Sequence, residues 1–485
     1  IAHQQKKMPS EALRQFRDRF AIPVSDDKIA EIPYYRPPKD APEMQYLAEL
    51  RAKRGGSLPQ RRRTTSVKLA VPKLEAFKAL TDATGEGREI STTMAFVRML
   101  GALLKDKQMG RNIVPIVPDE SRTFGMEGLF RQLGIYSQLG QLYEPEDSDQ
   151  LMFYKEDKNG QILQEGINEA GAMCSWMAAA TSYSNSNVPM IPFYIFYSMF
   201  GMQRVGDLAW ASGDLRARGF LLGGTAGRTT LNGEGLQHED GHSHVISSVI
   251  PNCISYDPTF SYEVAVIVQD GLRRMVEEQE DVFYYITLMN ENYPHPALPE
   301  GAREGILKGM YKLSDGGKAD GPRVQLMGSG TILREVIAGA ELLKKDWGVA
   351  ADVWSCPSFN ELRREGLAAE RWNLLHPSEK PRAPYVTQCL AGTKGPVIAS
   401  TDYMRAFADQ VREYVPRRYK VLGTDGFGRS DSRDNLRRFF EVDRNYVVVA
   451  ALKALAEEGE VPAAKVAEAI KKYGIDAEKP APWTV

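Results

Sequence analysis

The 485-residue chain is poor in cysteine, in histidine and in uncompensated charge, and each shortage excludes a class of protein. Its four cysteines, Cys174, Cys253, Cys356 and Cys389, lie far apart and form no Cys-x-x-Cys pair. They supply neither a disulfide framework nor a zinc ribbon, and the pattern fits a reducing compartment. Lys plus Arg (61) nearly cancels Asp plus Glu (63), which argues against a nucleic-acid binder. The run Arg61-Arg62-Arg63 reads as a solvated face ahead of a phosphate contact. No apolar run reaches the ~20 residues of a membrane span. The most apolar stretch, 188–202, is interrupted by Pro189 and Pro192 and reads as a buried strand running into a helix. A signal-peptide pattern is also lacking, so a cytoplasmic location is expected. The opening Ile1-Ala-His-Gln-Gln-Lys-Lys-Met8 has no initiator methionine, as expected of a piece of a longer polypeptide.

What is present is an ordinary globular composition, 43% hydrophobic, on a chain long enough for two or three domains. Residues 1–75 read as a connector: a helix over 10–20 with Ser10 as N-cap, a second over 42–53 stopped by Gly55-Gly56, and an irregular Tyr-Tyr-Arg-Pro-Pro stretch between them. Residues 76–315 alternate apolar runs with helical periodicity. Strands are expected at 113–117, 190–197, 220–222, 253–255 and 283–288, and helices over 90–105, 161–181, 204–208 and 261–277. Ser314 to Pro322 has linker composition, and 322–485 repeats the alternation, with strands near 324–327, Val353 and Val397 and helices over 332–345 and 446–458. The expected class is α/β, two domains of mostly parallel sheet covered by helices.

Half of the six histidines fall in one glycine-punctuated stretch, His238, His242 and His244, with Glu234, Glu239 and Asp240. Imidazole titrates nearest neutrality, so a bent loop of this kind is a candidate reaction site. His242 and His244 are two apart with no third ligand at zincin spacing, so acid/base or substrate contact outweighs metal binding, and structural hydrogen bonding stays open. Asp119 and Glu120 follow an expected strand, where ligands bind in parallel sheets; the alternative is a helix N-cap. Glu165 and Glu169, four apart, would share a helix face, either a site or an exposed acidic surface. Tyr194, Tyr197 and Phe200 are an aromatic cluster, core or ring platform. Gly328-Ser-Gly330 and Gly423-Thr-Asp-Gly-Phe-Gly428 do not complete a dinucleotide fingerprint.

Longer motifs carry a resemblance. Asp119-Glu-Ser-Arg-Thr-Phe-Gly-Met-Glu-Gly-Leu-Phe130, Gln161-Ile-Leu-Gln-Glu-Gly-Ile-Asn-Glu169, Met190-Ile-Pro-Phe-Tyr-Ile-Phe-Tyr-Ser-Met-Phe-Gly201 and the histidine stretch resemble one family, as do 287–293, 371–376 and 423–432. It is the homodimeric bacterial pyruvate dehydrogenase, the thiamine-diphosphate-dependent first component of the pyruvate dehydrogenase complex, within the transketolase superfamily. The resemblance runs the length of the chain and implies the second and third of the family's three α/β domains. The first, which holds the diphosphate and its magnesium, has no counterpart motif here, so no metal ligand is expected in this chain.

The resemblance also implies roles. Glu169 matches the glutamate that hydrogen-bonds the cofactor's aminopyrimidine, and Ile167 the apolar wedge that keeps the cofactor bent. Tyr197 and Phe200 match ring-contacting aromatics, and Asp119 and Glu120 carboxylates at the cofactor site. His238 matches a substrate contact, and His3 a loop histidine implicated in acetyl transfer. The implied reaction is oxidative decarboxylation of pyruvate, with the acetyl group passed to the lipoyl arm of the dihydrolipoyl acetyltransferase component. Transketolase-type ketol transfer and a non-catalytic dimerising body are the alternatives. A chain with half of the cofactor site is expected to be inactive by itself.

Overall fold

In the computed structural model, residues 7–56, 62–317 and 321–485 are described. The chain divides into two compact units, Ile1–Arg62 and Arg63–Val485. The first carries helices Ser10–Arg19 and Pro42–Lys53, neither of which buries a residue. Ser10 is not the cap that its residue type predicts. Pro9 occupies that position without a capping side chain, and the second helix opens with proline at its first turn, where the missing N–H costs nothing. Arg61 of the triple-arginine run lies outside the described residues.

The second unit is built on two sheets. The first has six strands in the order Leu163–Gln164, Ile113–Val117, Ile191–Tyr197, Phe220–Gly224, Phe283–Thr287 and Cys253–Tyr256, every pair parallel. β-branched and aromatic residues suit these positions because both faces are covered. Along Ile191–Tyr197, Phe193 and Ile195 join one core cluster and Tyr194 and Phe196 another, on opposite faces. One face packs on helices Thr92–Leu104 and Ser261–Leu272, the latter buried at all twelve residues, and the other on Glu169–Ala180 and Ser198–Asp214. Two prolines sit inside strands where a neighbour is missing. Pro115 precedes the pairing with Leu163–Gln164, which begins at Ile116, and Pro192 precedes the pairing with Phe220, which begins at Phe193.

The second sheet orders Tyr419–Leu422, Val397–Ser400, Arg323–Gly328, Ala350–Ser355 and Tyr311–Ser314, parallel except for the last pair, which is antiparallel. Helices Ile332–Trp347 and Arg444–Glu457 cover one face, and Phe359–Leu375 lies on the other. The architecture is the expected pair of mostly parallel, helix-flanked sheets.

Two further local expectations fail. The periodic run 161–181 does not form one helix. Leu163–Gln164 is an edge strand, Gly166 turns at φ +72°, and the helix begins only at Glu169, with the Asn168 side chain accepting the N–H of Gly171. The expected helix 204–208 is the middle of a longer one, Ser198–Asp214, that starts directly at the end of a strand.

A polar seam joins the two sheets. The buried Asp257 carboxylate accepts the hydroxyls of Thr287 and Ser329 at 2.7 Å each. Buried Asp402 accepts the N–H and hydroxyl of Thr229 and the hydroxyl of Thr230. Burial pushes the Asp257 carboxyl up to about 7, against its hydroxyl donors.

Candidate active site

The carboxyl ends of the first sheet's strands gather the site. Asp119 and Glu120 follow Ile113–Val117, Glu165 to Glu169 follow the edge strand, and Tyr197 ends the third. Crossovers in parallel sheets leave crevices at this end, so residues far apart in sequence meet there.

Three carboxylates surround one phenol. Burial raises the pKa of the Tyr194 hydroxyl, and Glu169, Glu165 and Glu120 raise it further. That hydroxyl is buried with no hydrogen-bond partner among the described residues. Glu120 is pushed up to about 7, first by burial and then by Asp119 beside it. The helix that follows is Gly128–Leu133 and its N-cap is Glu127, so neither Asp119 nor Glu120 is a helix cap. Glu165 and Glu169 converge from a turn and a helix start, not from one helix face as their spacing predicts.

Glu169 Oε1 accepts a 2.7 Å hydrogen bond from Arg204 Nη1. The glutamate side chain is 14% exposed and the arginine 48%. The guanidinium carbon of Arg204 also lies 4.3 Å from the centre of the Phe200 ring. Sequence reasoning missed Arg204; its position one helical turn after Phe200, on the helix that leaves the aromatic strand, was the available signal. Ile167 projects from the turn before Glu169 and is 70% exposed, a large apolar side chain with no core role.

Beyond Arg204 the site is aromatic. The His238 ring lies 5.0 Å from both Tyr197 and Phe200, whose rings are 6.1 Å apart. Phe124 backs Tyr197 at 5.4 Å. Burial raises the Tyr197 hydroxyl pKa, opposed by a hydrogen bond with Thr123 and reinforced by Glu120, Glu234 and Asp119. The histidine stretch therefore splits. His238 joins the site, and the His242 ring nitrogen Nε2 bonds Gln203 Oε1 at 3.0 Å. His244 turns into the core, its Nε2 2.9 Å from Thr287 Oγ1 and its ring stacked on Phe407 at 4.8 Å. Burial pushes the His244 imidazole down to about 3, so it is neutral at pH 7. Among the described residues no three His, Cys, Asp or Glu side chains converge as a metal site. His3 lies outside the described residues.

Solved structures share the architecture. Transketolase from Campylobacter jejuni aligns at TM-score 0.60 and 16% identity, over 92% of this chain and 59% of that one. Transketolase from Leishmania mexicana aligns at 0.58 and 17%, over 90% and 54%. These likenesses define a transketolase-like fold and nothing finer.

Sequence comparison is more specific. Residues 69–296 match the pyruvate dehydrogenase E1 component middle domain, and 309–443 the transketolase-like C-terminal domain. The pyruvate dehydrogenase E1 component of Cupriavidus necator is 67% identical over 100% of this chain and 54% of its own length. That of Escherichia coli K12 is 61% identical over 99% and 54%. The chain belongs to the pyruvate dehydrogenase E1 component family. It spans about half the length of the curated relatives it matches.

Proposed function

We propose that this chain forms the pyrimidine-binding wall and the C-terminal body of a thiamine-diphosphate-dependent pyruvate dehydrogenase. The observation that carries the reading is that Glu169, two residues after the exposed Ile167, is bridged by Arg204 to the Tyr197–Phe200–His238 aromatic group. A flat, nitrogen-bearing ring resting on an apolar support would use these parts: a carboxyl group for a ring nitrogen, an aliphatic wedge, and aromatic side chains to contact its face. When bound, the cofactor supplies the electron sink for the carbon–carbon bond broken in decarboxylation.

Glu169 would hydrogen-bond the aminopyrimidine of the cofactor, and Arg204 holds its carboxylate in place. Ile167 would support the cofactor, and Tyr197 and Phe200 would contact its ring. Asp119 and Glu120 border the same space, where a carboxyl with a pKa of about 7 can hold or release a proton at working pH. His238 contacts the pyruvate-derived group, and His3 assists acetyl transfer to a lipoyl arm of the dihydrolipoyl acetyltransferase component. Magnesium and the diphosphate are held by a domain outside this sequence. The protein works as a cytoplasmic homodimer. Its parts here are the connector 1–75, the pyrimidine-binding domain 76–315 and the C-terminal domain 322–485.

The test uses the complete polypeptide that contains this sequence, with thiamine diphosphate and magnesium, assayed for carbon dioxide release from pyruvate and for turnover of a ketose phosphate. Pyruvate is expected to be the substrate, and Glu169→Ala is expected to cut its decarboxylation by about a hundredfold or more. Turnover of the ketose phosphate alone, or a fully active Glu169→Ala protein, defeats the proposal. The isolated chain is expected to be inactive; micromolar, magnesium-dependent cofactor binding by it contradicts that part.

A further inference from the structure

Immediately after His238 the chain buries a carboxyl group. Glu239 is 1% exposed. Its Oε2 accepts the backbone N–H of Arg429 at 2.7 Å, while Oε1 is buried with no hydrogen-bond partner among the described residues. The approach is close: a Cβ at Gly428 would stand 2.3 Å from the Leu236 carbonyl oxygen and 3.0 Å from Glu239 Cβ. Backbone bonds flank this contact, from Gly233 N–H to Asp431 O at 3.0 Å and from Met404 N–H to Gly241 O at 2.7 Å. The glycine-rich segment 423–428, which completes no nucleotide fingerprint, is therefore packed against the turn Leu236–His238.

The charged groups facing Glu239 leave it without a dedicated partner. Arg228, which acts on it, donates instead to the carbonyls of Thr424 and Gly426. Asp402 opposes Arg228, and Asp402 itself is occupied by Thr229 and Thr230. Asp240, next in the chain, takes the N–H groups of His242 and Ser243, and Asp425 takes that of Arg405. A buried carboxylate with one bare oxygen bears a desolvation cost that the protonated acid avoids. Burial pushes this carboxyl up to about 8, against the N–H of Arg429, with Asp402 adding to the rise and Arg228 opposing it.

We propose that Glu239 is a positioning residue for His238: its buried carboxyl group ties the turn Leu236–His238 to Gly428–Arg429, and so keeps the imidazole between Tyr197 and Phe200. The side chain acts through the C-terminal half, not by touching substrate, and it leaves no negative charge beside the histidine. The catalytic consequence rests on the reading of His238 as a substrate contact. Glutamine is the isostere of the uncharged acid, because its amide oxygen can accept the same N–H; alanine removes the tie.

The experiment compares Glu239→Gln and Glu239→Ala in the complete polypeptide. One readout is the rate of His238 carbethoxylation by diethyl pyrocarbonate at pH 7, followed by peptide mass in the absence of cofactor. The other is kcat/KM for pyruvate in the loaded enzyme, alongside thiamine diphosphate affinity. The glutamine protein is expected within about twofold of wild type in His238 modification and about threefold in kcat/KM. The alanine protein is expected to be modified about fivefold faster and to lose about tenfold in kcat/KM, with cofactor affinity within about threefold. Glutamine that behaves like alanine, or that alters His238 modification more than about fivefold, overturns the proposal, since a charge would then reside at 239. If the alanine protein does not fold, the glutamine arm decides by itself. Wild-type protein that releases no carbon dioxide from pyruvate defeats the functional reading, while the modification arm still decides whether Glu239 positions His238.

Discussion

Arg204 bonds the Glu169 carboxylate at 2.7 Å while its guanidinium carbon lies 4.3 Å from the centre of the Phe200 ring. One side chain thus couples the acid to the aromatic group. An ion pair with one partner 48% exposed contributes at most about 1 kcal/mol to stability, so its value lies in geometry. In the complete polypeptide, Arg204→Ala should shift Tm by no more than about 2 °C and reduce pyruvate decarboxylation about tenfold. Arg204→Lys, which keeps the charge but not the planar fork, should fall between. Parallel measurement of Tm and turnover checks this; unchanged turnover would leave Arg204 a surface pair.

Ile167 separates function from stability. At 70% exposure its truncation removes almost no buried area, so Ile167→Ala should leave chemical denaturation within about 0.5 kcal/mol of wild type. On the proposed reading, thiamine diphosphate binding and turnover by the complete polypeptide should nevertheless weaken about tenfold or more, because Ile167 would support the cofactor. A large stability loss without a cofactor effect is the opposite signature, that of a core residue.

Gly201 should reverse the usual helix rule. Replacing a glycine inside a helix with alanine ordinarily stabilises by up to about 1 kcal/mol, and Gly201 is the fourth residue of the helix Ser198–Asp214. Here a Cβ would stand 1.8 Å from Phe196 Cε2, and the Phe196 ring is buried against Tyr194 and Tyr285. Gly201→Ala should therefore cost about 1–3 kcal/mol by overpacking, read as a lower denaturation midpoint.

His244 should set part of the acid sensitivity. Its folded pKa, about 3, lies below the unfolded value of 6.5, so the unfolded state takes up the proton first. The contribution is complete above pH 6.5 and is lost as pH falls toward 3. At pH 5, about 1.5 units below the unfolded pKa, the loss is about 2 kcal/mol. The raised carboxyls of Asp257 and Glu120 act with the opposite sign: the folded state keeps protons that the unfolded state releases, so stability falls as pH rises through about 4 to 7. His244→Phe, which can keep the stack on Phe407, should lose less stability between pH 7.5 and 5 than wild type does, by about that 2 kcal/mol. Equal losses in the two proteins would mean that His244 is not buried neutral.

Part of this was legible without coordinates. The short run Ile113–Val117, rich in β-branched residues, and the aromatic run ending at Tyr197 read as strands by length and residue kind, and both are strands. The helix Thr92–Leu104 has its cap, Ser91, in the sequence as a residue type. Glu165 was misread because Gly166 and Asn168 break the helix that periodicity extends across 161–181, and a positive φ at one glycine outweighs an apolar pattern.

Residue pattern and residue kind by themselves determined the α/β class, most of the long central strands and, through the family resemblance, Glu169, Ile167 and His238 as candidates; the strands Leu163–Gln164, Tyr311–Ser314 and Tyr419–Leu422 were not among those expected. Tertiary structure alone decided which titratable groups meet. His238 and His244 are the same side chain six residues apart, yet one lies between Tyr197 and Phe200 and the other is neutral in the core on Phe407. Arg204 reaches Glu169 across 35 residues and Glu239 reaches Arg429 across 190. Sequence periodicity reports which face of an element is apolar; it carries no term for the distance between charges on different elements, and that distance, with burial, sets both the partners and the protonation state.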